Sequence, residues 1–279
     1  MSEAIDHGTV LVIGGRGKTG GRVADRLEAK GVDVRLASRA SSPAFDWTDR
    51  STWPAAIAGA RAAYIVYYPD LATPGAVEAI RDFTALAIKH GMKRLVLLSG
   101  RGEPEAQAAE EELMRSGADW TVVRASWFAQ NFSESLLAPG IIAGEVHFAA
   151  DTVLEPFIDA DDIADVAVAA LTEPGHEGRL YEVTGPRLMT FSQAVEEIAR
   201  ATSRPITYTP LSADAYLEAA RGAGVPEDLL AVLELLIREV LDGRNEHLAD
   251  GVQQALGRQP RDFAEFARKA AADGLWEAA

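Results

Sequence analysis

The chain has 279 residues, 48% of them hydrophobic and 25% charged, which suits one sizeable core with a small appended lobe. A net charge of −15 makes nucleic acid and anionic membranes poor partners, and the lack of cysteine excludes disulfides, thiol nucleophiles and thiolate metal sites. No apolar run is long enough for a membrane span and residues 1–6 carry no basic-then-apolar leader, so the cytoplasm is the expected location.

Apolar runs at 10–13, 32–37, 44–46, 63–67, 95–99 and 121–124 read as strands. They alternate with helical patterns at 20–30, 52–58, 75–90 and 106–116. Gly31, Gly59, Gly91 and Gly117 follow the helices, where a left-handed cap is expected. This rhythm predicts an α/β fold, a Rossmann-like doubly wound parallel sheet, over residues 1–125. Residues 126–279 are expected to form a small, mostly helical substrate lobe, interleaved with the last core strand and helices. Within it, 145–149, 180–183 and 206–209 read as strands, 163–171 and 191–201 as helices, and 213–272 as mostly helical. The apolar helix at 229–241 is suited either to a dimer face or to lining a pocket.

The first strand runs into Gly14-Gly15-Arg16-Gly17-Lys18-Thr19-Gly20. An early glycine permits a tight turn, the middle one lets backbone approach a pyrophosphate, and the last lets the helix pack on the strand. The N–H groups of this turn and the helix N-terminus then face the phosphates. Residues 1–40 carry seven Lys/Arg against five Asp/Glu, a positive balance around the turn in an otherwise acidic chain. A Walker A loop would need a glycine at position 12, which is Val.

The second strand ends at Ser38-Arg39, where an NAD site usually carries an acidic residue for the ribose 2′-OH. A guanidinium suits a 2′-phosphate, so NADP(H) is expected over NAD(H), with Arg16 and Lys18 near enough to assist. Asp46 and Trp47 fall where such folds contact the adenine, although Trp47 is equally suited to the core. Tyr67, Tyr68 and Pro69 end the fourth strand, and Ser99 and Gly100 the fifth; both ends are expected beside the nicotinamide. Ser99 and Tyr68 are the candidate catalytic residues. Trp127, Phe128, Asn131, Phe132, His147 and Phe157 are the candidate substrate wall, whose aromatic content suits a planar or polycyclic molecule; lobe packing would use the same rings. No His/Asp/Glu spacing suggests a metal, and Asp159, Asp161 and Asp162 read as a helix cap and lobe anchor. His7 and His247 read as surface residues.

The glycine turn, the strand end at Arg39, the stretch 118–124, the aromatic-amide run to Phe132 and the segment 156–164 together resemble the NmrA-like atypical short-chain dehydrogenases, over nearly the whole chain. Segments 11–19, 38–43 and 45–47 are more narrowly similar to the ergot-alkaloid dehydrogenases of the agroclavine dehydrogenase and festuclavine synthase type. That resemblance implies NADPH-dependent reduction of a cyclic iminium, and a cofactor site formed by Gly14, Arg16, Gly17, Lys18, Thr19, Ser38 and Arg39. The broader family also includes a regulator that binds the dinucleotide without a known reductase activity.

There is no Tyr between Tyr68 and Tyr181 and no Lys between Lys93 and Lys269, so the Tyr-x-x-x-Lys proton donor of most short-chain reductases is missing. Ketone reduction needs such an acid. The helix after Ser99 offers Glu110, Glu111 and Glu112, which would serve only with a raised pKa. A cationic iminium needs no acid, because hydride transfer simply neutralises it, and positioning supplies up to roughly 7–11 kcal/mol. The expected activity is NADPH-dependent reduction of an imine, iminium, conjugated carbonyl or quinone of a small cyclic or polycyclic substrate. The alternative is a non-catalytic NADP(H)-binding redox sensor; an epimerase or dehydratase is disfavoured by the missing pair. The expected partner is a small molecule, and the protein is expected to be a monomer or homodimer.

Overall fold

The computed structural model describes residues 8–135 and 137–277; residues 1–6 and His7 lie outside them. The first strand, β1 (Thr9–Ile13), shows why a sheet forms: it is buried on both faces, with Leu11 and Ile13 packed into one layer and Val10 and Val12 into the other. After it come α1 (Lys18–Ala29), β2 (Val34–Ala37), α2 (Trp53–Ile57), β3 (Ala60–Ile65), α3 (Ala76–Lys89), β4 (Arg94–Gly100), α4 (Pro104–Met114) and β5 (Asp119–Ala125). The chain continues through α5 (Ala138–Ala143), β6 (Glu145–Phe148), α6 (Ala160–Thr172), β7 (Arg179–Val183), α7 (Phe191–Thr202) and β8 (Thr207–Pro210). It ends with α8 (Ala213–Gly222), α9 (Glu227–Leu235), a π turn at Leu236–Val240, α10 (Gly251–Leu256) and α11 (Phe263–Ala272).

Six parallel strands form one sheet in the order β2-β1-β3-β4-β5-β7. The layer containing α1 and α6 covers one face, and the layer containing α3 and α4 the other. The chain leaves β1 toward β2 and then crosses to β3 on the opposite side. The switch point of this doubly wound sheet therefore lies between the carboxyl ends of β1 and β3, where ligands bind in such folds.

A short strand expected at 44–46 does not form; only an isolated bridge joins Asp46 to Asp49. The segment instead turns Phe45 and Trp47 into a nest of rings with Trp53 and Phe83, at centroid distances of 4.9 to 6.0 Å. Burying those rings against α2 and α3 outweighs one more edge strand. The strand expected at 145–149 forms as β6, which pairs with β8 in a separate two-stranded sheet.

Beyond β5 a separate core gathers Phe132, Phe148, Phe157, Phe191, Phe263, Phe266 and Trp276. The helix expected at 229–241 is α9 followed by the π turn; Leu233, Ile237 and Leu241 enter this core, whereas Leu236 and Val240 face the crevice. Widened turns of this kind concentrate at functional sites. No helix among the described residues is long and apolar enough to cross a membrane.

Candidate active site

The glycine turn is built for close approach. Gly14 has φ +71°, a region that favours glycine, and its carbonyl accepts from Gly17 N–H at 2.7 Å. A Cβ on Gly20 would lie 2.7 Å from the Gly14 carbonyl carbon and closer still to its oxygen, so α1 packs against the turn only through a glycine. Gly17 is the cap position of α1, and Lys18 and Thr19 open the helix, leaving its first N–H groups directed at the crevice. Gly15 packs against Leu36.

Two guanidiniums flank this cradle. Arg16 has no hydrogen-bond or ion-pair partner among the described residues, and Arg39 has no ion-pair partner; its guanidinium lies 5.8 Å from the centre of the Tyr68 ring. In a chain of net charge −15, two unpaired cations beside a helix N-terminus suit a phosphate-bearing ligand. Ser38 shapes the same edge: its N–H donates to Ser41 Oγ at 2.9 Å and its Oγ accepts from Ala40 N–H at 3.3 Å.

The carboxyl ends of β3, β4 and β5 open into a cavity of about 310 Å³. Lys18, Tyr67 and Pro69 line one side, Ser99, Gly100 and Arg101 the floor, and Trp127, Phe128 and Asn131 the lobe side. Leu236, Val240 and Asn245 close it from the π turn and the loop that follows. Arg101 is held by Glu182 at 2.6 Å and by the Asn245 carbonyl at 2.9 Å, while its Nη2 has no partner. Ser99 Oγ, Glu103 Oε2, Trp127 Nε1 and both carboxyl oxygens of Glu155 are likewise buried without a hydrogen-bond partner. Such orphaned groups are costly, and four of these residues line one cavity, so the site is suited to a polar ligand.

Two acids in this cavity were not singled out from sequence. Asp70 follows the Tyr67-Tyr68-Pro69 turn and accepts from Ala72 N–H at 2.8 Å. Glu103 sits before α4, only 5% exposed, with its carboxyl directly over Gly100, where any Cβ would collide with it. The two carboxyls share the cavity, each within the other's electrostatic reach. Burial, then the charge of Asp70, pushes Glu103 up to about 9; burial also raises Asp70. The only prior signal was Asp70 beside a strand-end proline and Glu103 three residues after a strand-end glycine.

Several expected site residues stand elsewhere. Tyr68 is 55% exposed and turned toward Arg39, outside the cavity, so it is not positioned to act on a substrate there. Trp47 packs on Tyr67 at 5.0 Å and donates to the Val66 carbonyl at 3.0 Å, and the Asp46 carboxyl accepts from Thr48; both hold the wall in place behind Tyr67. Phe132 and Phe157 are fully buried in the lobe core, 5.3 Å apart, because each packs edge-on or tilted against Phe191 and Phe263 there. His147 faces outward from β6, 3.3 Å from Glu145, since strand alternation turns Val146 and Phe148 inward. Glu110 is buried against Arg124, and Glu111 and Glu112 pair with Arg115 outside the cavity.

Asp159 caps α6, accepting from Asp161 N–H at 2.8 Å and from Gln130 Nε2 at 2.7 Å. Asp161 pairs with Arg26 and Lys269, and Asp162 with Arg258 and Arg261, so this cluster ties α1, α6 and the C-terminal segment together. Among the described residues no group of three or more His, Asp or Glu is arranged to hold a metal ion.

No family model matches the chain. It is 32% identical over 281 residues to agroclavine dehydrogenase of Claviceps fusiformis, covering 92% of this chain and 96% of that protein. It is 30% identical over 285 residues to the NAD(P)H azoreductase of Xenophilus azovorans, covering 94% of this chain and 98% of the relative. Among solved structures, the triphenylmethane reductase of Citrobacter sp. in complex with NADP(H) superposes with a TM-score of 0.74 at 18% identity, over 94% of this chain and 99% of that one.

Proposed function

The chain belongs to the NmrA-like atypical short-chain dehydrogenases/reductases, beside agroclavine dehydrogenase, and from that premise we propose that it is an NADPH-dependent reductase of an imine, iminium, conjugated carbonyl or quinone in a small cyclic or polycyclic substrate. The observation that carries this reading is the cavity at the sheet's switch point, walled by Tyr67, Trp127 and Phe128 and floored by the unpartnered Ser99 Oγ and Arg101 Nη2. An apolar wall with a few convergent polar groups is the form of a site for a flat organic acceptor.

The residues present fit a dinucleotide. Gly14 and Gly20 keep the turn tight against α1, Gly17 leaves the cap backbone without a side chain toward a pyrophosphate, Lys18 and the N-terminus of α1 supply positive potential, and Thr19 packs beneath the turn. Arg39, with Arg16 nearby, would take a 2′-phosphate, which favours NADP(H) over NAD(H). The dye reductase to which the chain is similar is complexed with NADP(H), and this supports the same choice. Bound NADPH supplies a hydride. Ser99 and Asn131 would orient the acceptor's heteroatom, and Leu236 and Val240 would exclude water from above. The partner is then a small molecule.

The test is NADPH oxidation against cyclic iminium ions, quinones, enones and ketones, with NADPH binding measured in parallel. Turnover on one class is the expected result. Tight NADPH binding with no oxidation of any class would favour a redox sensor instead.

A further inference from the structure

Asp70 and Glu103 reach the same cavity from adjacent parallel strands, one from the turn after β3 and one from the turn after β4. Both line one cavity, each within the other's electrostatic reach, and neither has an ion-pair partner among the described residues. Two like charges buried in one cavity disfavour each other's ionised form, so a proton on one of the two carboxyls is favoured. Glu103 is nine-tenths buried, its Oε2 has no partner in the protein, and Gly100 leaves bare backbone beneath it. The acid therefore stands over the end of β4 in the cavity lining, with one buried carboxyl oxygen unpartnered within the protein.

Resting on the reductase reading, we propose that the Asp70–Glu103 pair holds one shared proton and delivers it to the nitrogen or oxygen of a neutral acceptor. The balance is simple. As the carbon of the acceptor's double bond gains the nicotinamide hydride, the π pair moves to the heteroatom and takes the dyad's proton. The pair is left with two negative charges and regains a proton from solvent, so one acceptor, one NADPH and one proton give one reduced product and one NADP⁺. This supplies the acid that the missing Tyr-x-x-x-Lys would have provided, and widens the acceptors from iminium cations to neutral imines and quinones.

The surroundings favour retention of that proton. Glu105 and Glu110 add negative charge on the α4 side, although Arg124 pairs with Glu110. Lys18 and Arg101 are the cations that line the cavity, and Arg101 is already held by Glu182. Tyr67 is the remaining titratable neighbour on the wall.

Glu103→Gln removes the proton and keeps one negative charge, on Asp70. The first readout needs no turnover: in infrared spectra at neutral pH, wild type minus Glu103→Gln and wild type minus Asp70→Asn should each show a protonated-carboxyl band, distinct from that of Glu155. The second is kinetic. Glu103→Gln should lower kcat on a p-quinone by ~100-fold, a typical general-acid contribution, and on an N-methylated cyclic iminium by far less, with NADPH affinity and melting temperature as checks on folding. Absence of the band overturns the shared proton whatever the turnover. Equal losses on both acceptors, or none on either, overturn the donor role. A band with a wild-type protein inert to every acceptor removes the donor role together with the reductase reading and leaves only the shared proton.

Discussion

The Nζ of Lys18 donates a 2.8 Å hydrogen bond to Oδ1 of Asn131, joining the first turn of α1 to the loop after β5 at the side of the cavity. Burial lowers the Lys18 pKa, opposed by the charge of Glu134. The same helix is also tied to the lobe and to α6 by Arg22–Glu134 at 2.6 Å and Arg26–Asp165 at 2.7 Å. Lys18→Met should therefore leave the melting temperature nearly unchanged but weaken NADPH about 10-fold, the loss of one charged hydrogen bond at about 1.4 kcal/mol. Unchanged NADPH affinity in a titration would exclude Lys18 as a phosphate ligand.

Arg39 separates the two nicotinamide cofactors. It is exposed, lacks an ion-pair partner among the described residues and lies over Tyr68, so its removal costs the fold little. Arg39→Ala should weaken NADPH roughly 10- to 100-fold, corresponding to about 1.5–3 kcal/mol for a hydrogen bond to a charged group, and leave NADH nearly unaffected. Equal losses for both cofactors, measured by fluorescence titration, would place the 2′-phosphate elsewhere.

The parts of the site written in consecutive residues were legible in the sequence. The glycine turn, the helix that follows it and the strand end at Arg39 are local patterns whose geometry depends on near neighbours. The Asp70–Glu103 pair was not, because each is an ordinary loop acid until β3 and β4 lie side by side. The aromatic residues failed for a different reason. Trp127 and Phe128 face the cavity while Phe132 and Phe157 fill the lobe, and only the packing of α7 and α11 decides which ring turns inward. Likewise the 44–46 segment has strand composition, yet its rings gain more from the cluster around Trp53 than a short edge strand would.

Gly20 and Gly21 are adjacent on α1 and differ sharply in surroundings. A methyl group at Gly20 would overlap the Gly14 carbonyl, which is backbone and cannot move aside, whereas at Gly21 the nearest atom is the Gly15 oxygen at 3.6 Å. Gly20→Ala should lower the melting temperature and abolish measurable NADPH binding, by prying α1 from the turn. Gly21→Ala should be neutral or slightly stabilising, because alanine is the better helix former by about 1 kcal/mol. Thermal melts of both variants decide it: a wild-type melt for Gly20→Ala would mean that the helix shifts freely and the close approach is not required.

Two buried acids should give opposite pH signatures. Burial alone would raise Asp161, but hydrogen bonds from Lys269 and Arg26 outweigh it and hold the carboxyl at about 2. Its folded pKa lies below the unfolded value, so its stabilisation is present above pH ~4 and is lost as pH falls toward 2; the shift corresponds to about 2 kcal/mol. Asp161→Asn should be less stable than wild type by about that amount at neutral pH, and the difference should close in acid. Glu155 behaves the other way. It is 1% exposed, and burial, only partly offset by the charge of Arg101, pushes it up to about 7. With the folded pKa above the unfolded one, the neutral form is favoured by folding, and stability is lost as pH rises from ~4.5 through 7, up to about 3 kcal/mol. Glu155→Gln should therefore match wild type near pH ~4 and exceed it on the alkaline side. Urea midpoints for both variants across the range test the pair together: a Glu155→Gln protein that gains nothing above neutrality would mean that Arg101 keeps the carboxylate ionised without cost.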